Sequence, residues 1–296
     1  MADMETENND YSASPTDFSI VIPAKNEAEG LRRLLPKLTA RYPSAEVLVV
    51  DDGSGDETRS VCRSCGASVI SHPYPMGNGA AIKTGARNAR HDTIVFMDAD
   101  GQHQSADVER LVREVDKGYD MVVGARDSAS QASSGRRVAN GLFNRLASYI
   151  TGHAVADLTS GFRAVNAEKF REFLFLLPNG FSYPATSTMA FFRSGYGVQY
   201  IPIEAPKRIG KSHLKPLKEG ARFLLIIFKI GTLYSPLKLF LPVSVGFLVL
   251  SLSYATFTLS VMGRFTNMSA LLFSVSVLVF LIGLVSEQIT SLMYRH

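Results

Sequence analysis

Thr93-Ile94-Val95-Phe96-Met97-Asp98-Ala99-Asp100 is a continuous apolar run that stops in two carboxylates one residue apart. A short run with no polar alternation reads as a strand covered on both faces, as in a parallel sheet. Its end aims Asp98 and Asp100 at the carboxyl edge, where open α/β sheets bind their ligands. Two clustered carboxylates repel unless a positive charge sits between them. Mg²⁺ takes one or two carboxylates plus substrate phosphates, so the economical reading is a hard divalent cation holding a diphosphate. The triplet alone is a weak signal, since Asp-x-Asp arises by chance. Its weight comes from its surroundings.

Working outward, strand and helix patterns alternate. Phe18–Pro23, Glu46–Val50, Ala67–Ser71, Thr93–Met97 and Met121–Gly124 read as strands. Helices are expected after Asn26, which can cap the first, between Asp56 and Gly66, over Gly79–Ala89, and over Ala106–Lys117 with Val108, Leu111, Val112 and Val115 on one face. Such alternation implies an α/β, Rossmann-like, mainly parallel sheet with right-handed crossovers. Three strand ends then carry polar residues at one edge: Ala24 to Glu27, Asp51/Asp52, and Asp98/Asp100. Asp51 or Asp52 can accept from a nucleobase edge or ribose hydroxyls. Equally, Asp52 and Asp56 can simply cap the next helix. Gly77-Asn78-Gly79 lets backbone approach a ligand closely, and a bare turn accounts for it equally well. There is neither a G-x-G-x-x-G pattern nor a Walker P-loop.

The chain of 296 residues divides by composition. Residues 1–16 are polar and acidic and read as a disordered leader with no signal-peptide pattern. Leu239 to Met262 and Met268 to Val285 carry no charge, and Gly263–Asn267 links them. Runs of this kind suit a membrane-crossing helical hairpin, and a pair of buried core helices is the alternative. Lys207, Arg208, Lys211, Lys215, Lys218, Arg222, Lys229 and Lys238 precede the first run, against Arg264 alone in the link. Positive charge stays cytoplasmic, so the catalytic part is expected in the cytosol. Glu287 and Gln288 sit at that interface or pair within the bundle. Pro216–Pro236 (PLKEGARFLLIIFKIGTLYSP) mixes basic and apolar residues, suiting an amphipathic helix on an anionic lipid surface or, alternatively, a domain-packing helix. The net charge of +4 is modest and its basic residues are not interleaved with exposed aromatics, which argues against nucleic acid. Cys62 and Cys65 are the two cysteines, too few for a zinc site, and read as incidental helix residues, with a redox C-x-x-C the alternative.

Ser19–Glu27 (SIVIPAKNE), Val50–Asp56 (VDDGSGD), Gly79–Gly85 (GAAIKTG) and Asp98–His103 (DADGQH) together resemble the GT-A fold, family 2 glycosyltransferases. Asp157–Arg163 (DLTSGFR) narrows the likeness to the dolichol-phosphate mannose synthase-like, polyprenyl-phosphate glycosyltransferases, over about Phe18 to Ser212. The resemblance implies a GT-A catalytic domain at 17–212, interfacial amphipathic helices at 213–236 and a transmembrane hairpin at 237–293. It implies that Pro23, Ala24, Glu27, Asp52 and Gly79 border the nucleotide-sugar, with Asp98 and Ala99 contacting it. Asp100 and Gln102 would ligate Mg²⁺ or Mn²⁺. Arg126, Arg137 and Arg163 would approach the diphosphate and the lipid phosphate, and Arg208, Lys211 and Ser212 would close over the donor. Departures exist: Met76 replaces a common basic residue, Pro184-Ala185-Thr186 lacks a common acid, and His213 replaces a common Lys.

The implied reaction passes one sugar from a nucleotide-sugar, GDP-mannose favoured over UDP-glucose or another UDP-sugar, to a polyprenyl or dolichyl phosphate, with inversion. A lipid phosphate is already an anion near neutral pH, so the work is electrostatic and positional, suited to a metal and arginines. Asp157 then orients the acceptor or an arginine, with action as a base the alternative. Arg126 and Arg137 as plain surface charges form the alternative. A processive polysaccharide synthase fits poorly, because its Gln-x-x-Arg-Trp motif needs a tryptophan and this chain has none. A membrane-tethered nucleotide-sugar-binding scaffold without turnover is the non-enzyme rival. A homo-oligomer is left open.

Overall fold

The computed structural model describes residues 17–101, 103–126, 134–180, 182–204, 228–229 and 231–293, with the side chains of 134–139 excepted. The leader 1–16 and most of the 213–236 segment therefore lie outside the described residues.

Among the described residues seven strands form one sheet: β1 (Phe18–Ala24), β2 (Glu46–Asp51), β3 (Ser68–Ser71), β4 (Thr93–Phe96), β5 (Met121–Arg126), β6 (Arg163–Asn166) and β7 (Val198–Ile203). Their spatial order is β3-β2-β1-β4-β6-β5-β7. All pair in parallel except β6, which runs antiparallel between β4 and β5. The order reverses direction between β1 and β4, so a crevice opens beyond the ends of those two strands. In register, Ala24 lies opposite Asp51, and Val21 opposite Phe96, two residues short of Asp98. The three polar strand ends read from sequence thus share one edge.

Helices α1 (Ala28–Arg41), α2 (Thr58–Ser64) and α4 (Ser105–Asp116) cover one face, burying Leu31, Leu35, Val61, Leu111 and Val112 against Ile20, Val49 and Val95. Helices α3 (Asn78–Asn88), α6 (Ala167–Glu172) and α7 (Tyr183–Arg193) cover the other, where Ile82, Phe170 and Phe191 meet Val21, Ile94 and Phe96. Burial on both faces explains the near-continuous apolar strands. Helix α5 (Ser134–Thr151) packs on α7 through Phe143, Ala147, Ile150 and Met189.

Asn26 does not cap α1. It sits at φ 55°, and its Oδ1 accepts the Gly55 amide at 2.9 Å, tying the β1–α1 and β2–α2 loops together. Asp56 and Thr58 serve the first turn of α1 instead, accepting the Ala28 amide at 3.2 Å and the Glu27 amide at 3.1 Å. Asp56 also accepts the Thr58 amide at 3.0 Å, so the capping reading holds for Asp56 but not for Asp52.

Two apolar helices close the chain, α8 (Pro236–Met262) and α9 (Asn267–Met293), each of 27 residues. At 1.5 Å per residue each reaches about 40 Å, beyond a hydrocarbon core of roughly 30 Å. They are mostly exposed, unlike soluble core helices. Ser244, Ser251 and Thr258 on α8 and Ser269, Ser276, Gly283 and Thr290 on α9 are buried at seven-residue spacing. A seven-residue repeat keeps one stripe facing a partner helix along its length, and small residues let the backbones approach. Ser244 and Ser276 each donate to the other's carbonyl, at 3.0 and 2.8 Å. Replacing Ser276 by Leu should destabilise the hairpin by about 1–3 kcal/mol through overpacking, read as earlier thermal unfolding in detergent.

The hairpin docks on the α/β unit at the end where its two termini lie. Glu287 accepts the Leu237 amide at 3.1 Å and pairs with Arg193 of α7 at 3.5 Å. Lys238 donates to the Ile150 carbonyl at the end of α5, 2.8 Å away. Of the two places open to Glu287 from sequence, the structure shows pairing within the bundle and across to α7.

Candidate active site

The β4 strand end presents Asp98 half-exposed and Asp100 exposed, with Ala99 between them buried in the α1-side core. Ala24 likewise turns its methyl into that core, while its carbonyl accepts the Asp52 amide at 2.8 Å. Ala24 and Ala99 therefore offer no side chain to the crevice. Pro23 and Glu27 are half-buried beside them. His103 stacks on Phe162 at 4.5 Å between centroids and brings Nε2 to 3.8 Å from Asp98.

Asp52 is nearly buried and its oxygens are engaged: Oδ1 takes the His72 ring and the Met76 amide at 2.8 and 2.7 Å, and Oδ2 the Gly77 amide at 2.9 Å. Burial pushes its pKa up, but these bonds outweigh it and hold the carboxyl below its ordinary value. Met76, where a basic side chain was missed, thus contributes its backbone. At Gly79 a Cβ would meet the Pro178 carbonyl at 1.9 Å, so the close approach of the 178–180 segment requires a glycine there.

The loop before β6 brings Asp157 to the same edge, facing the end of β5. Arg126 donates to Asp157 through Nε at 2.8 Å and Nη2 at 3.2 Å, and to Thr159 Oγ1 at 2.7 Å. Asp157 is 4% exposed, whereas the Arg126 side chain is 31% exposed. Burial raises the Asp157 pKa, yet the bonds from Arg126 and Thr159 prevail and leave it below the carboxylate norm. Burial likewise lowers the Arg126 pKa, but Asp157, with smaller contributions from Asp98 and Asp100, lifts it above normal. A carboxylate so held is a poor base and a good orienting group. Gly161 continues the loop beside Asp98, where a Cβ would lie 3.3 Å from Oδ2.

Arg163 is also corrected. It is wholly buried, and its guanidinium donates to the Pro184 carbonyl, Ser187 Oγ and Thr188 Oγ1 at 2.9, 2.9 and 3.1 Å, and to the Ser160 carbonyl. It cannot touch a diphosphate. It ties α7 to the 157–162 loop from behind, a role invisible in sequence because β6 is only four residues long. Replacing Arg163 by Met should cost about 3–5 kcal/mol, since the carbonyls and hydroxyls around it lose their donor, read as a lower unfolding midpoint.

Gln104, Asp107, Arg110, Arg126, Tyr200 and Glu204 border a cleft of about 700 Å³ at this edge. Gln102, Arg208, Lys211, Ser212 and His213 lie outside the described residues, as does the side chain of Arg137. Cys62 is buried in α2 with its thiol pushed up to about 11 by burial, which suits an inert helix residue. In the sequence, Asn144 and Tyr183 gave no signal of their own, because their contacts join distant segments.

The model for "Glycosyl transferase family 2" matches residues 19–174, more than half of the chain. The chain belongs to glycosyl transferase family 2. It is a glycosyltransferase with a GT-A-like sheet, and residues 235–292 match a "GtrB C-terminal hairpin". This glycosyltransferase is 27% identical over 296 residues to glycosyltransferase AglJ of Haloferax volcanii, covering 94% of this chain and 95% of that protein. It is 28% identical over 216 residues to the dolichyl-phosphate hexose transferase of the same organism, covering 72% and 93%. Among solved structures, glucosyl-3-phosphoglycerate synthase from Mycobacterium tuberculosis, bound to Mn²⁺, UDP-glucose and phosphoglyceric acid, superposes with a TM-score of 0.61. It is 21% identical and covers 73% of this chain and 79% of its own. That likeness concerns the fold.

The donor set suits a hard cation. Among the described residues no cluster of three or more His, Cys, Asp or Glu side chains could enclose a metal. Two carboxylates at an open strand end leave room for phosphate oxygens and water, as Mg²⁺ prefers.

Proposed function

We propose that this family 2 glycosyltransferase moves one sugar from a nucleotide-sugar to a polyprenyl phosphate at a membrane surface, with inversion, giving a lipid-linked sugar. One observation carries the reading: the Asp98/Asp100 strand end and the Arg126–Asp157 pair share one sheet edge, on a unit docked to an apolar hairpin. The Haloferax volcanii dolichyl-phosphate hexose transferase supports the acceptor class. GDP-mannose is the first donor to test, from the Thr159–Arg163 stretch, and UDP-glucose the second.

In this account the base and ribose lie along Pro23, Ala24, Glu27 and Asp52, and the diphosphate by Asp98. Asp100, with Gln102, would hold Mg²⁺ or Mn²⁺, which when bound offsets the charge on the leaving diphosphate. Arg126, held by Asp157, and Arg137 draw in the lipid phosphate. Arg208, Lys211 and Ser212 close over the donor. An acceptor oxygen attacks the anomeric carbon from the face opposite the diphosphate, and the breaking bond's electron pair leaves with the β-phosphate. No general base is required, because the acceptor is already ionised, and so the absence of an acid at Pro184–Thr186 is no obstacle. The catalytic domain spans 17–212, the interfacial segment 213–236 and the hairpin 237–293. The lysines and arginines before the hairpin support a cytosolic active site.

The test incubates purified protein with Mn²⁺ or Mg²⁺, each common nucleotide-sugar and a polyprenyl phosphate, with mass detection of the glycolipid. One donor is expected to give a product that chelation abolishes. No lipid product with any donor rejects the proposal and favours a scaffold.

A further inference from the structure

We propose that Asn144 is a positioning residue that fixes Asp157, and through it Arg126; the inference rests on the transfer role given to that pair above. Asn144 lies in α5, far from the acidic strand end in sequence. Its Nδ2 donates to the Ala156 carbonyl at 2.6 Å, and its Oδ1 accepts the Leu158 amide at 3.1 Å. One side-chain amide thus bonds the peptides on both sides of Asp157, as a neighbouring strand would. The 152–162 loop has no strand ladder at this point, so the amide supplies what the sheet does not. Only a group that donates and accepts at once can do so.

With both flanking peptides held, Asp157 keeps little freedom beyond its own side-chain torsions. Its carboxylate then collects the Thr159 amide and hydroxyl, both at 3.0 Å, and the Arg126 fork. Leu158 and Val155, both buried with α5 residues, peg the loop on either side. One helical turn beyond Asn144, Ser148 Oγ accepts the Val155 amide at 3.0 Å, but this bond touches neither peptide adjoining Asp157. Ser148 therefore provides an internal control. It fastens the same loop to the same helix without governing the carboxylate. At its far end α5 takes the Lys238 ammonium, so the helix that fixes Asp157 is also bonded to the first residues of the hairpin.

The experiment uses the full-length protein in lipid, with the donor that supports transfer, and compares Asn144→Ala, Asn144→Asp, Ser148→Ala and Asp157→Asn. Small displacements of an oriented group can cost large factors in rate, so Asn144→Ala is expected to lower kcat about tenfold with the donor KM moved less than about twofold. Ser148→Ala is expected to lower the unfolding midpoint comparably while kcat stays within about twofold of wild type. Adding Asn144→Ala to Asp157→Asn should change kcat less than about twofold, because the group it positions is already altered. The inference is overturned by normal turnover in folded Asn144→Ala, by parallel losses in Ser148→Ala, or by a full additional loss in the double variant. Should Asn144→Ala not fold, Asn144→Asp takes its place under the same criteria, since it keeps the Leu158 contact and loses the Ala156 one. Absence of transfer by the wild type rejects the functional proposal itself; impaired Asp157→Asn beside normal Asn144 variants rejects this inference alone.

Discussion

Replacing Asp100 by Asn should abolish sugar transfer while leaving the protein folded. Asp100 is exposed at the tip of the β4 loop, outside all three core clusters, so the swap changes charge and little packing. Removing a metal's anionic ligand forfeits several kcal/mol of charge stabilisation in the transition state, which is on the order of 10³-fold in turnover. The unfolding midpoint should move by no more than a degree or two, about the effect of an ordinary surface substitution. Raising Mn²⁺ should recover part of the loss if the remaining Asp98 still binds weakly. A variant with unchanged, metal-dependent turnover would remove Asp100 from the site.

Asp157→Asn should give the second large effect, on rate and stability together. An amide cannot receive the two-pronged Arg126 contact as a carboxylate does, and it leaves a partly buried guanidinium without its counter-charge. Breaking such a pair costs about 3–5 kcal/mol. Turnover should fall about 10²-fold or more, the scale of losing one oriented charge partner. The pH dependence has a definite sign. The carboxyl's folded pKa lies below its unfolded value of about 3.9, so its stabilisation is complete above that value and drains away as pH falls through the folded pKa. Wild type should therefore lose stability in acid faster than Asp157→Asn. Equal acid sensitivity of the two, measured by urea unfolding across that range, would show that the pair contributes nothing.

What could be read from the sequence was local. The strands from Phe18 to Gly124 are short runs, and each was recoverable within about two residues because burial on both faces of most of them leaves no polar alternation to mislead. The uncharged spans on either side of Gly263–Asn267 were legible for the same reason, since nothing but lipid or a deep core tolerates them. Beyond Gly124 the signal fades. β6 holds four residues, begins with an arginine and runs against its neighbours, so neither length nor composition marks it. Arg163 looked like a phosphate ligand because an arginine in a motif invites that reading; only the fold reveals that carbonyls and hydroxyls from α7 surround it. Asn26 misled in the same manner, answering to a segment distant in sequence. Asn144 is the converse case: an ordinary residue on a helix whose bonds span a loop that sequence cannot fold.

The central claim is that a divalent cation joins the Asp98/Asp100 strand end to the donor's diphosphate, beside Arg126. Anomalous diffraction at the manganese edge, from crystals grown with Mn²⁺ and the accepted nucleotide-sugar, tests it directly. The account predicts one strong peak in contact with the Asp100 carboxylate and the diphosphate oxygens. Donor bound with its diphosphate elsewhere, or bound here with no metal beside Asp100, would contradict it.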